Sequence, residues 1–138
     1  MLSSRSPASA RRLRWLGLLL ALLTAGFAGC AAKTPMLEVH LFTALVAGPE
    51  FRTVETSVLV GTGSTSSSSI YDAAEASTRF GNDFSRGRGV ATFTLPEGAY
   101  LVRVRLMRPN GTLLVERVIA LSLAGDTVLP VHITRDCV

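Results

Sequence analysis

Two thiols, two imidazoles and several groups of hydroxyls and guanidiniums are the side chains here with chemistry to offer, and their spacing restricts what they can do. His40 and His132 lie far apart in the chain, each flanked by apolar residues, without the short ligand spacing that holds zinc. Both are expected to be strand residues with a satisfied ring. The serines concentrate in Gly61 to Ser69, GTGSTSSSS, outside any G-x-S-x-G context. His132 and Asp136, if they share a strand face, stand roughly 13 Å apart at about 3.3 Å per residue, too far for a direct hydrogen bond. Gly61-x-Gly63 lacks the Lys and the following helix of a phosphate loop. No catalytic residue, metal site or cofactor is expected, and the protein is not expected to be an enzyme. The remaining polar feature is two i, i+2 pairs, Arg86 with Arg88 and Arg103 with Arg105. On neighbouring β segments they could form a basic patch for an anionic glycan or a lipid head group. The alternative is that Glu55, Glu97 and Glu116 pair with them across strands, as solvated sheet faces usually arrange.

The N-terminus has its own logic. Arg5, Arg11, Arg12 and Arg14 precede Trp15 to Ala25, WLGLLLALLTA, and no acidic residue lies among them. A basic start and a short apolar stretch form a secretory signal, too short for a permanent span of roughly 20 residues. Gly26-Phe27-Ala28-Gly29-Cys30 then resembles the lipobox of bacterial lipoproteins, in which an apolar residue and two small ones precede an invariant cysteine. Phe27 stands where the family usually has Leu. The resemblance implies cleavage between Gly29 and Cys30, a diacylglyceryl thioether on the Cys30 sulfur, and acylation of the new amino group. Two or three acyl chains give stable anchoring where one gives only reversible binding. The competing route is an ordinary signal cleaved within Ala28 to Ala32, which would release a soluble protein. Ala31 is not the Asp that, by the same resemblance, marks inner-membrane retention, so an outer-membrane address is expected.

Charge follows from this division. The chain carries 14 basic and 10 acidic residues, for a net +4. Four of the basic residues and none of the acidic ones lie in the signal, so the exported part is formally neutral and no nucleic-acid partner is expected. The expected organisation is signal peptide 1-29, lipidated tether 30-35, a single β domain 36-135 and a tail 136-138. If Cys30 is lipidated, Cys137 has no partner in its own chain. It is read as incidental or as the remnant of a longer tail, with an intermolecular disulfide as the alternative.

Within the domain, Leu37, Val39 and Leu41 alternate with Glu38 and His40, and Phe51 to Val60 carries β-branched residues at Thr53, Val54, Thr56, Val58 and Val60, so two strands are expected, paired as a hairpin. Ser69 to Ser77, SIYDAAEAS, offers a capping Ser and alanine-rich spacing for a short helix near 69-78. Phe80 and Phe84 are expected to pin the connection that follows. In the C-terminal half, Pro96-Glu97-Gly98, Pro109-Asn110-Gly111 and Gly125-Asp126 separate strand-like runs. Tyr100, Val102, Val104 and Leu106 share one face, facing inward, with Ala91, Phe93, Leu95, Leu129, Val131 and Ile133 as packing partners. Glu116-Arg117 breaks the alternation of Leu113 to Leu123 and suggests a bulge there.

Leu95-Pro96-Glu97-Gly98-Ala99-Tyr100-Leu101-Val102-Arg103-Val104 resembles the L-P-x-G-x-Y hairpin of prealbumin-like modules, such as carboxypeptidase regulatory-like and collagen-adhesin B-type domains. The resemblance implies an all-β, antiparallel sandwich of the transthyretin or immunoglobulin-like kind, with six to seven strands, preceded here by the signal-peptide helix. It implies no activity, because this architecture hosts many roles. The function expected is a lipid-anchored, non-catalytic binding module of the cell envelope that engages another envelope protein or a glycan. The competing class is an assembly subunit joined through a strand edge; a secreted hydrolase ranks below both.

Overall fold

Apolar side chains repeating at every second residue are realised as seven strands: β1 (Met36–Thr43), β2 (Thr53–Val60), β3 (Ser69–Ser77), β4 (Arg88–Thr94), β5 (Gly98–Met107), β6 (Leu113–Leu123) and β7 (Thr127–Ile133), with a 3-10 turn at Arg135–Cys137. The computed structural model describes residues 33–60 and 68–138. The signal-peptide helix, the cleavage site at Gly29 and Cys30, and most of the serine-rich loop lie outside the described residues. Among the described residues no helix is long and apolar enough to cross a membrane.

The strands form two sheets, one in the order β4-β1-β7 and one in the order β3-β2-β5-β6. This is an all-β sandwich, as the alternation predicts. Its core comes from one face of each sheet: Leu37, Val39, Leu41, Val131 and Ile133 on one side, and Val54, Val58, Val102, Val104 and Leu106 on the other, all fully buried. The inward row of β5 is the expected one, with Tyr100 at its head. Burial of the Tyr100 ring raises the pKa of its hydroxyl, and Tyr71 adds to the shift. The hydroxyl donates to the Pro96 carbonyl oxygen at 2.8 Å, fixing the corner where the chain passes from β4 in one sheet to β5 in the other.

Several expectations are corrected. Strands β1 and β2 do not form a hairpin: they lie in different sheets, and residues 44–52 carry the chain between them. Residues 69–77 are strand, not helix. A two-turn helix is marginal alone, whereas β2 offers this segment a partner along its whole length, from Thr53↔Ser77 to Val60↔Ser69. The pairing also packs Ala74 and Ala76 against the core. One strand pair is parallel, β1 with β7 from Leu37↔Thr127 to Thr43↔Ile133. The bulge in β6 falls at Leu114, between the pairs Leu106↔Val115 and Met107↔Leu113, and not at Glu116-Arg117. Arg117 occupies an inward position but is exposed, because the three-stranded sheet does not reach over the middle of β6. Phe84 is buried and meets Phe51 edge-on at 5.4 Å, while Phe80 is 80% exposed and pins nothing.

Burial makes two substitutions informative. Leu106→Ala should cost about 2–5 kcal/mol in urea unfolding, while Leu113→Ala, at a half-exposed position, should stay within about 0.5 kcal/mol. The buried Thr56 hydroxyl has no hydrogen-bond partner. Thr56→Val should therefore raise stability by about 1 kcal/mol in the same assay.

Candidate functional site

Strand directions bring three segments to one end of the sandwich. β1 and β7 both finish there, β4 begins there, and the chain that joins or follows them forms the rim: residues 44–52, residues 78–87 and the C-terminal turn. Two adjoining concavities open at this end, of about 440 Å³ and 280 Å³, sharing Thr43, Ala44 and Ser85. Phe42, His132, Thr134 and Arg135 line the larger one.

Its floor is a pair of rings. Parallel register sets Phe42 opposite His132, and the rings stack with centroids 4.7 Å apart and planes 21° from parallel. Gly87 makes room for them: its φ is +84°, and a Cβ there would lie 2.3 Å from the Phe42 ring. Any side chain at this position would be strained by its backbone and would displace the phenyl ring.

The rim is held by an ion pair 85 residues apart in sequence. Arg135 Nη1 and Nη2 donate to the two Glu50 carboxylate oxygens at 2.6 and 2.9 Å, and Nη2 also reaches the Ala44 carbonyl oxygen at 3.3 Å. The Val46 N–H donates to the same carboxylate. The Arg135 hydrogen bonds and then the Val46 N–H hold the Glu50 carboxyl below the ordinary carboxylate range, and the pairing raises Arg135 in turn. Nearby, Asp83 accepts the Ser85 N–H at 2.8 Å, and hydrogen bonds from Ser85 lower its pKa. Cys137 is exposed, and hydrogen bonds with Thr134 lower its thiol pKa, with a smaller effect from Arg117.

The arginine pairs are not brought together. Arg88 belongs to β4, with its guanidinium 5.8 Å from the Phe84 ring centroid, and Arg86 precedes that strand. Arg103 and Arg105 belong to β5 in the other sheet. Arg105 stands in a cross-strand row between Glu55 and Glu116 and pairs with Glu116 at 2.6 Å, so the carboxylate alternative describes this residue. His40 is satisfied by Glu38 at 2.7 Å. Asp136 shares no strand with His132, because β7 ends at Ile133 and Asp136 sits in the 3-10 turn. Among the described residues no group of three His, Cys, Asp or Glu side chains could hold a metal ion.

The sequence reading missed the groove itself. Phe42, His132, Glu50 and Arg135 meet only because β1 and β7 run parallel. The one local hint was the glycine-rich connection before β4, in which Gly87 closes a turn by donating its N–H to the Phe84 carbonyl oxygen at 3.2 Å. What the groove offers is a stacked pair of rings, the hydroxyls of Thr43, Ser85 and Thr134, and a guanidinium held by Glu50.

No family model matches this chain, and no curated protein matches it. Among solved structures, a leucine-rich repeat protein from Bacteroides thetaiotaomicron is similar over 75% of this chain at 12% identity, with a TM-score of 0.42. The chain spans 12% of that protein's length.

The Glu50 and Arg135 contact gives a pH prediction with a fixed sign. The folded Glu50 carboxyl has a depressed pKa, so the contact is fully formed above the unfolded carboxylate range, about 4.3. It is lost as pH falls through the lower folded value. Following the Val46 amide and Arg135 side-chain resonances by NMR should show both released together in acid. Glu50→Gln should release them at neutral pH, with the core signals of β2 and β5 unchanged.

Proposed function

We propose that this protein is a lipoprotein of the bacterial cell envelope, anchored through Cys30, whose β-sandwich is a non-catalytic binding module for another envelope protein or a glycan. The observation that carries the reading is that the groove lies at the Thr43 end of β1, opposite the Met36 end by which the chain enters the domain. Cys30 precedes the first strand by six residues, so a lipid on its sulfur would hold the Met36 end of β1 near the bilayer. The ring-lined groove lies at the other end of that strand, roughly 26 Å away for eight residues at about 3.3 Å each. A tether at one end and a concave, loop-built rim at the other suit a protein that presents its loops away from the membrane.

The residue chemistry supports the anchor from a separate direction. A basic start, an apolar stretch too short to span and small residues before a cysteine together favour lipidation over release. Ala31 favours the outer membrane. Stacked rings with hydroxyls and a guanidinium around them suit a sugar face or a polar loop of a partner protein.

Two measurements test the two halves. Labelled fatty acid fed to producing cells should enter the wild-type protein and not the Cys30→Ala variant, and equal labelling would end the anchor reading. A photo-crosslinking residue at Ser85, on the groove, should capture an envelope component that the same residue at Glu97, at the opposite end, does not. Equal capture from both positions would remove the groove from the proposal.

A further inference from the structure

A sandwich of two open sheets has four edge strands, and each exposes backbone donors and acceptors to any strand that approaches. Three of the four are obstructed here. In β7, Pro130 pairs in parallel register with His40. Having no N–H, Pro130 cannot make the inter-strand bonds of that pair, so His40 makes them. The proline nitrogen therefore faces the free edge and removes its central donor. In β3, Tyr71 is bulged out between Val58↔Asp72 and Leu59↔Ile70, and the Asp72 carboxylate takes up the Ala73 N–H at 2.8 Å. In β4, Val90 is skipped between His40↔Gly89 and Val39↔Ala91, and Gly89 weakens the strand beside it.

Among the described residues the fourth edge has no such device over most of its length. β6 is the longest of the described strands, its bulge is confined to Leu114, and Val115 to Leu123 is nine regular residues without Pro or Gly. Its solvent-side residues Glu116, Val118, Ala120 and Ser122 are exposed. Glu116 is neutralised by Arg105 within its own sheet. Ile119 and Leu121, facing the core side, remain half-buried at the margin that the three-stranded sheet does not reach.

We propose that β6 is the contact strand of a symmetric homodimer, paired antiparallel with β6 of a second copy about a two-fold axis at Ile119. The sequence of the strand selects both partner and register. Centring the axis on Glu116 or Arg117 sets like charges directly opposite, which is unfavourable. Centring it on Ile119 uses all nine regular residues. Val115 then faces Leu123 of the second copy, Glu116 faces Ser122, Arg117 faces Leu121, Val118 faces Ala120, and the two Ile119 side chains meet at the axis. No charge opposes its like, and the half-buried Ile119 and Leu121 are covered from the side. Such a contact is isologous, so it closes at two copies and leaves no further regular edge for growth. The inference is independent of the anchor and of the groove.

Cysteine pairs in the full chain, solubilised in mild detergent, read the register directly. In a Cys137→Ser background, Glu116→Cys with Ser122→Cys in one chain should give a disulfide-linked dimer on mild oxidation. Directly opposed Cβ atoms lie about 4.5–5.5 Å apart, while the two positions within one strand are roughly 20 Å apart and cannot bridge. Each single cysteine should give none, and the background protein reports any bridge through Cys30. Sedimentation of the wild type should give the dimer mass, Val118→Asp with Ala120→Asp the monomer mass, and Val118→Asp with Ala120→Lys the dimer again. A monomeric wild type, crosslinking from the single cysteines as strong as from the pair, or failure of the opposite-charge variant to restore the dimer would each overturn the proposal.

Discussion

Everything in this molecule follows from covering a four-stranded sheet with a three-stranded one. Burying the inward rows of β2 and β5 against those of β1 and β7 supplies the main apolar contact, and at about 25 cal/mol per Å² of apolar surface no other term in so small a domain is comparable. The mismatch leaves the middle of β6 without a lid. That is why an arginine, Arg117, can occupy an inward position there, and why Ile119 and Leu121 stay half-buried while Val102 and Val104 on the next strand are sealed. The two sheets also end in edges of unequal kind, with β6 regular from Val115 to Leu123 and β7 interrupted by Pro130.

The parts of this arrangement visible in the amino-acid sequence are those set by neighbours in the chain. Alternation gave the strands of the C-terminal half and their inward faces correctly, because a side-chain period of two needs no knowledge of the partner strand. Pairing was less legible. The hairpin expected between β1 and β2 rested on their adjacency, but residues 44–52 use Gly48 and the buried Phe51 to cross between sheets. The helix expected at 69–77 rested on local propensity, which a long open partner strand overrides. The parallel pairing of β1 with β7 joins residues 90 apart and leaves no local trace.

That long-range pairing accounts for the gap between the candidate residues read from the sequence and those the groove contains. His132 was considered as a ligand or a base, and its neighbour proved to be the Phe42 ring. Arg103 and Arg105 stood out by their spacing, yet Arg105 belongs to a charged row that is balanced within the sheet. Arg135, one arginine among many, makes the contact that ties the end of the chain to the β1 and β2 connection. Spacing along a strand identifies which residues share a face, but only the strand order says which faces meet.

The central place of β1 has a consequence for the order of assembly. The first of the described strands is bonded on one flank by β4 and on the other by the last of them, with Asp126 just before β7 accepting the Met36 N–H at 2.9 Å. The three-stranded sheet therefore cannot close until residue 133 is available, and its closure spans nearly the whole domain, a topology associated with slow folding. A chain that emerges N-terminus first keeps β1 half-paired until β7 is available, so β7 acts as the latch of this sheet.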